Sequence, residues 1–77
     1  MPLYFNAREP DEYVTLVDEA GANTYIGIAL VNIATNTIGW KIKRINENGS
    51  NTTITWADGS TDFDKIWDSR ATYDYSV

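Results

Sequence analysis

"WKIKRINENGSNTTITW" (residues 40–56) is the stretch on which the fold turns. A Gly sits among Asn, Glu and Ser, and the runs on either side alternate Ile or Trp with polar residues. That is the pattern of a β-hairpin. Side-chain parity then places the loop. With a three-residue loop Glu47-Asn48-Gly49, Gly takes the third position, where a left-handed residue is required. Trp40 then faces Trp56 and Ile42 faces Ile54, while Lys41 and Lys43 lie with Thr55 and Thr53 on the opposite side. A two-residue Asn48-Gly49 turn would set Lys41 against Trp56 and Lys43 against Ile54. A slip of one residue exchanges the two faces of a strand, so the three-residue loop is the expected one.

The same signature occurs upstream. "DEAGANT" (18–24) and "NENGSNT" (46–52) share Glu, Gly, Asn and Thr in one order. Shared turn chemistry explains the echo more simply than an ancient duplication. A loop at Glu19-Ala20-Gly21 would pair residues near 12–18 with 23–30. Val14, Leu16, Ile26, Ile28 and Leu30 share a parity and are expected to face the core.

Residues 1–11 read as an N-terminal arm, because Pro2 and Pro10 discourage helix and Tyr4 and Phe5 have no periodic partners. "VNIATNTIG" (31–39) is a polar connection holding Ile33 and Ile38. Asp58-Gly59 is a turn dipeptide. Thr61 with Asp64 fits a capping box, and Phe63, Ile66 and Trp67 share one helical face, which predicts a short helical turn near 61–68. "ATYDYSV" (71–77) reads as a last strand. The expected fold is mainly β: a single domain over 12–77, a small antiparallel barrel or sandwich of about five strands with that one helical turn. Trp40, Ile42, Ile54, Trp56, Phe63 and Trp67 are its expected core.

Composition narrows the function. The 77 residues contain no Cys and no His, so neither a disulfide nor a zinc site is available. A chain this short buries only about 60% of its unfolded surface, so aromatic packing and oligomerisation are the routes left to stability. The net charge of −5 argues against nucleic acid as a partner. No apolar run reaches the ~20 residues of a membrane span, and "MPLYFNAREP" lacks the regions of a signal peptide. A soluble protein made in a cytoplasm is expected, and the sequons Asn48-Gly49-Ser50 and Asn51-Thr52-Thr53 are then chance matches.

The crowd of Asp58, Asp62, Asp64 and Asp68 does not match a calcium loop, whose ligands alternate before a Gly. Caps and a solvated face account for it better, and no metal or other cofactor is expected. Paired carboxylates of a glycosidase would need a cleft that so short a chain has little room to build. No enzyme activity is expected. Trp and Tyr near Asp and Asn would suit stacking on a glycan, but Trp40, Trp56 and Trp67 fall at positions expected in the core. Lys41 and Lys43 form a basic strip on an acidic body. Either they make cross-strand ion pairs within the chain, or they meet an acidic part of a neighbouring subunit. Tyr4, Phe5, Lys41, Lys43, Ile33 and Ile38 are the candidate interface residues.

"TYIGIA", "WKIKRI" and "TITWADGSTDFDKIWDSRATYDYS", within residues 24–76, resemble a family of small, mostly uncharacterised or structural proteins encoded by tailed bacteriophages. The elements "WADG", "FDKIWD" and "RA" carry the resemblance best, and "VNIATNTIG" carries it least. The resemblance brings no catalytic residues. It implies a non-enzymatic virion protein made in the host cytoplasm: a capsid decoration, or an adaptor at the neck, tail or fibre base. Other virion proteins and further copies of the chain would be its partners. A carbohydrate-recognition module aiding host attachment is the alternative, and a host-directed regulator outside the virion is a third reading.

Overall fold

Two hairpin turns organise the computed structural model of the chain, which describes residues 12–76. The expected arm over residues 1–11, with Tyr4 and Phe5, lies outside the described residues. Strand β1 (Tyr13–Ala20) returns as β2 (Asn23–Leu30), and β3 (Lys41–Asn48) returns as β4 (Asn51–Trp56). Each turn has two residues, Gly21-Ala22 and Gly49-Ser50. Gly21 (φ 65°) and Gly49 (φ 63°) take the first position, and Ala22 and Ser50 are not among the residues of positive φ. This is the type II′ arrangement, whose twist suits a hairpin and whose first position glycine fills without steric cost. All four strands join in one antiparallel sheet in the order β1-β2-β3-β4, so the domain is mainly β, as expected.

The turns correct the expected register. Gly begins each loop instead of ending it. Lys43 therefore faces Trp56 and Ile45 faces Ile54, where Trp40 was expected opposite Trp56. A displacement of three residues is odd, so it exchanges the faces of β4. Thr53 and Thr55 turn toward the core, and Ile54 and Trp56 turn away from it. In the first hairpin Val14 pairs with Ala29 and Leu16 with Gly27. Ile26, Ile28 and Leu30, expected to face inward with Val14 and Leu16, lie on the other side of the sheet.

The inward face is closed by residues that follow β4. Tyr25, Ala29, Trp40, Ile42, Ala57, Trp67 and Tyr75 form the buried cluster, with Leu16, Ile33 and Tyr73 packed against it. Trp67 packs on β2 at Gly27. A Cβ at Gly27 would stand 2.4 Å from Trp67 Cε3 and 3.2 Å from Trp40 Cε3, so only glycine admits both indoles. The Trp40 and Trp67 rings sit 5.9 Å apart, and Trp40 Nε1 donates to the Ala34 carbonyl at 3.0 Å. Small residues suffice on the inward face of β4 because these later aromatics fill the space.

The segment after β4 departs from expectation in two places. No helical turn forms over residues 61–66. Lys65 N–H donates to Trp40 O at 2.8 Å, and Lys65 O accepts from Gly39 and Trp40 N–H at 3.0 and 2.9 Å. These β-type bonds commit Lys65 to the edge of β3 and exclude a helix there. The helical geometry appears instead over Trp67–Thr72, the second of two 3-10 turns; the first, Ala57–Gly59, runs through left-handed backbone at Asp58 (φ 53°) and Gly59 (φ 69°). Residues 71–76 of the expected last strand likewise form the end of that second turn and a non-strand tail. Asp58 fastens the tail: its N–H donates to Asp74 O at 2.7 Å, and its Oδ1 accepts from Asp74 N–H at 3.1 Å.

Candidate functional site

Among the described residues, the outward face of the sheet is where apolar surface is left uncovered. Alternation along the strands sends Tyr13 and Val17 of β1, Ile26, Ile28 and Leu30 of β2, Ile45 of β3, and Ile54 and Trp56 of β4 to this side. Val17 is 58% exposed, Ile54 57% and Leu30 47%. Of the six expected core residues, Trp40, Ile42 and Trp67 are buried, Trp56 is half-buried, and Ile54 and Phe63 are exposed. The reversal of β4 puts Ile54 and Trp56 on the open side. Phe63 follows because residues 60–64 leave the sheet edge as a loop, which carries its ring over to Tyr13, with centroids 6.0 Å apart and planes 24° apart.

Two cations stand in this apolar field. Lys41 Nζ lies 4.9 Å from the centroid of Phe63 and 5.5 Å from that of Trp56, and Lys43 Nζ lies 5.4 Å from Trp56. Their cross-strand neighbours are Ile28 for Lys41, and Ile26 and Trp56 for Lys43. Among the described residues neither makes an ion pair, so the intrachain charge ladder is not formed there. Arg44, next in sequence, goes to the other face and stacks its guanidinium 4.9 Å over Tyr75. Strand alternation thus separates Arg44 from the two lysines.

The remaining candidate residues divide. Ile38 is 62% exposed, whereas Ile33 packs against the core cluster. Ile33 also lines an apolar cavity of about 260 Å³ with Tyr13, Leu30, Gly39 and Phe63. That volume lies below the ~300–1,000 Å³ of small-molecule sites, and the lining offers no charged group to orient a ligand.

The inward face carries polar chemistry with a structural purpose. Arg70 Nε donates to Asp18 Oδ2 at 2.9 Å, and its guanidinium lies 4.6 Å over the Trp67 ring. This clamps the second 3-10 turn to the edge strand β1. Tyr75 O–H donates to Arg70 O at 2.7 Å. Burial, with the nearby Tyr25, pushes the Tyr75 phenol from 10.0 up to about 12. Lys65 is buried beside Asp64 and the Tyr73 ring. Asp74, whose Oδ1 accepts from the hydroxyl and N–H of Ser76, titrates below its usual value. Neither the Tyr75 nor the Asp74 change moves a group toward neutral pH, where a general acid or base works best.

Among the described residues, no group of three or more His, Cys, Asp or Glu comes together that could hold a metal ion. No helix among them is long and apolar enough to cross a membrane. No family model, curated protein or solved structure matches the chain.

Sequence reasoning singled out Lys41 and Lys43 but missed the apolar field around them. The signal that would have found it is the Gly-first turn. Placing Gly49 and Ser50 in the loop gives the register that turns Ile54 and Trp56 outward.

Proposed function

We propose that this chain is a non-enzymatic structural protein of a tailed-bacteriophage particle and acts through subunit contacts made by the open face of its sheet. The observation that carries this reading is that face: Val17, Leu30, Ile54 and Phe63 exposed on one side of a single small sheet, around Lys41 and Lys43. The largest apolar patch on a small protein is often its functional surface. The resemblance of residues 24–76 to small phage proteins supplies the setting, in which one fold present in many copies works by repeated contacts. The polar network on the other face is occupied in holding the C-terminal segment down. A capsid decoration and an adaptor at the neck, tail or fibre base suit the face equally.

Mass spectrometry of purified particles from a phage carrying this gene tests the reading. The expected result is the chain present in many copies per particle. Its absence from the particle would overturn the reading and favour the host-directed regulator. Retention on a glycan array, abolished by Trp56→Ala, would favour the carbohydrate module.

A further inference from the structure

The charges on the open face are arranged along β3 in a polar order. Outward positions run Lys41, Lys43, Ile45, Glu47, with Glu19 of β1 near the acidic end. Lys41 and Glu47 are six residues apart on one strand, about 20 Å at 3.3 Å per residue, and so do not pair within a chain. A second copy laid face to face and reversed brings the basic end of one β3 over the acidic end of the other.

We propose that the open face is the contact between two copies of this chain, packed sheet on sheet about a two-fold axis near the middle of β3. Lys41 faces Glu47 of the partner subunit, and the same pair recurs across the axis. Trp56 then lies over Ile54 of the partner subunit, and the exposed apolar residues of both sheets cover one another. This deepens the subunit-contact reading above and rests on it. The alternative stacking, with strands in the same direction, would give neither Lys41 nor Lys43 an acidic partner, whereas the reversed one pairs Lys41 and leaves only Lys43, over Ile45 of the partner subunit, without an acceptor; unpaired buried cations are expensive. Charge complementarity therefore selects the reversed arrangement.

Three strands of eight residues and one of six, about 4.8 Å apart, give a face of roughly 500 Å². A standard interface buries about 800 Å² per partner, so this dimer is a weak one that fills at high local concentration, as inside a particle.

Sedimentation equilibrium of the full chain over a wide concentration range is the test. The parent is expected to form a concentration-dependent dimer. Glu47→Lys or Lys41→Glu alone replaces two attractive pairs with two repulsive ones and is expected to weaken association roughly tenfold. The double variant Lys41→Glu/Glu47→Lys restores both pairs in reverse and is expected to return to within about twofold of the parent. The separation within one chain leaves no intrachain route to that rescue. A double variant no better than either single one would overturn the reversed pairing, and a parent monomeric at every concentration would overturn the dimer. A monomer abundant in particles would remove the dimer and leave the structural reading. A dimer absent from particles would remove the reading and leave the dimer.

Discussion

The two faces of this sheet are built from the same four strands but completed differently. The inward face presents Gly27, Ala29, Ile42 and Thr55, small or aliphatic, beside the larger Tyr25 and Arg44. It is finished by Trp40 and by Trp67 and Tyr75, which arrive from later in the chain. The outward face presents Ile26, Ile28, Ile45, Ile54 and Trp56, larger residues, and Phe63 reaches over part of it. Apolar strand residues thus do not by themselves mark the core. The core forms on the face to which the chain returns, and here Gly27 decides that face by leaving room for an indole.

Breaking the closed face should have the largest effect. Trp67→Ala removes the ring that rests on Gly27 and is expected to cost about 3–5 kcal/mol, much of what a domain of this size has. Thermal or urea unfolding of the variant measures it, and a melting point unchanged from the parent would refute the packing.

The Tyr75 phenol gives the next effect. The folded chain holds its proton more tightly than the unfolded chain, which releases it near 10, so its contribution is fully present below that pH. It is lost as pH rises from 10 toward about 12. The loss is expected to be about 2 kcal/mol across that window. Urea unfolding of the parent and Tyr75→Phe between pH 9 and 12 isolates it, because the variant lacks the titrating group. Parallel declines in both would assign the loss to other groups.

Gly27→Ala sharpens the comparison from the side of the strand. The added methyl meets Trp67 within van der Waals contact, and overpacking of this kind is expected to cost about 1–3 kcal/mol. Combining it with Trp67→Ala should show strong non-additivity, since the ring that the methyl strikes is gone. Simple addition of the two costs would place the clash elsewhere.

How much of this was legible in the sequence depends on the range of the interaction. The hairpins around Gly21 and Gly49, the inward Trp40 and Ile42 and the outward Lys41 and Lys43 follow from local alternation, and all could be read from the chain. The loop position could not be read securely, because it depended on whether Gly opens or closes the turn. Pairing Trp40 with Trp56 assumed that every tryptophan belongs to one core. Residues 61–68 misled for a different reason. Phe63, Ile66 and Trp67 have helical spacing, but the bonds of Lys65 to Trp40 are long-range and override it. The Arg70–Asp18 clamp, which joins positions far apart in the chain, left no local signal at all.

The smallest expected change in stability belongs to the open face, and it is the most direct test of the account. Ile54→Glu places a carboxylate at a position 57% exposed. Measured on one sample series, its melting temperature at low concentration should match the parent within the equivalent of about 0.5 kcal/mol. Its self-association, by sedimentation of the same samples at high concentration, should be lost. Unfolding on the scale of Trp67→Ala would mean that the chain itself covers this face, and undiminished association would mean that its partners bind elsewhere.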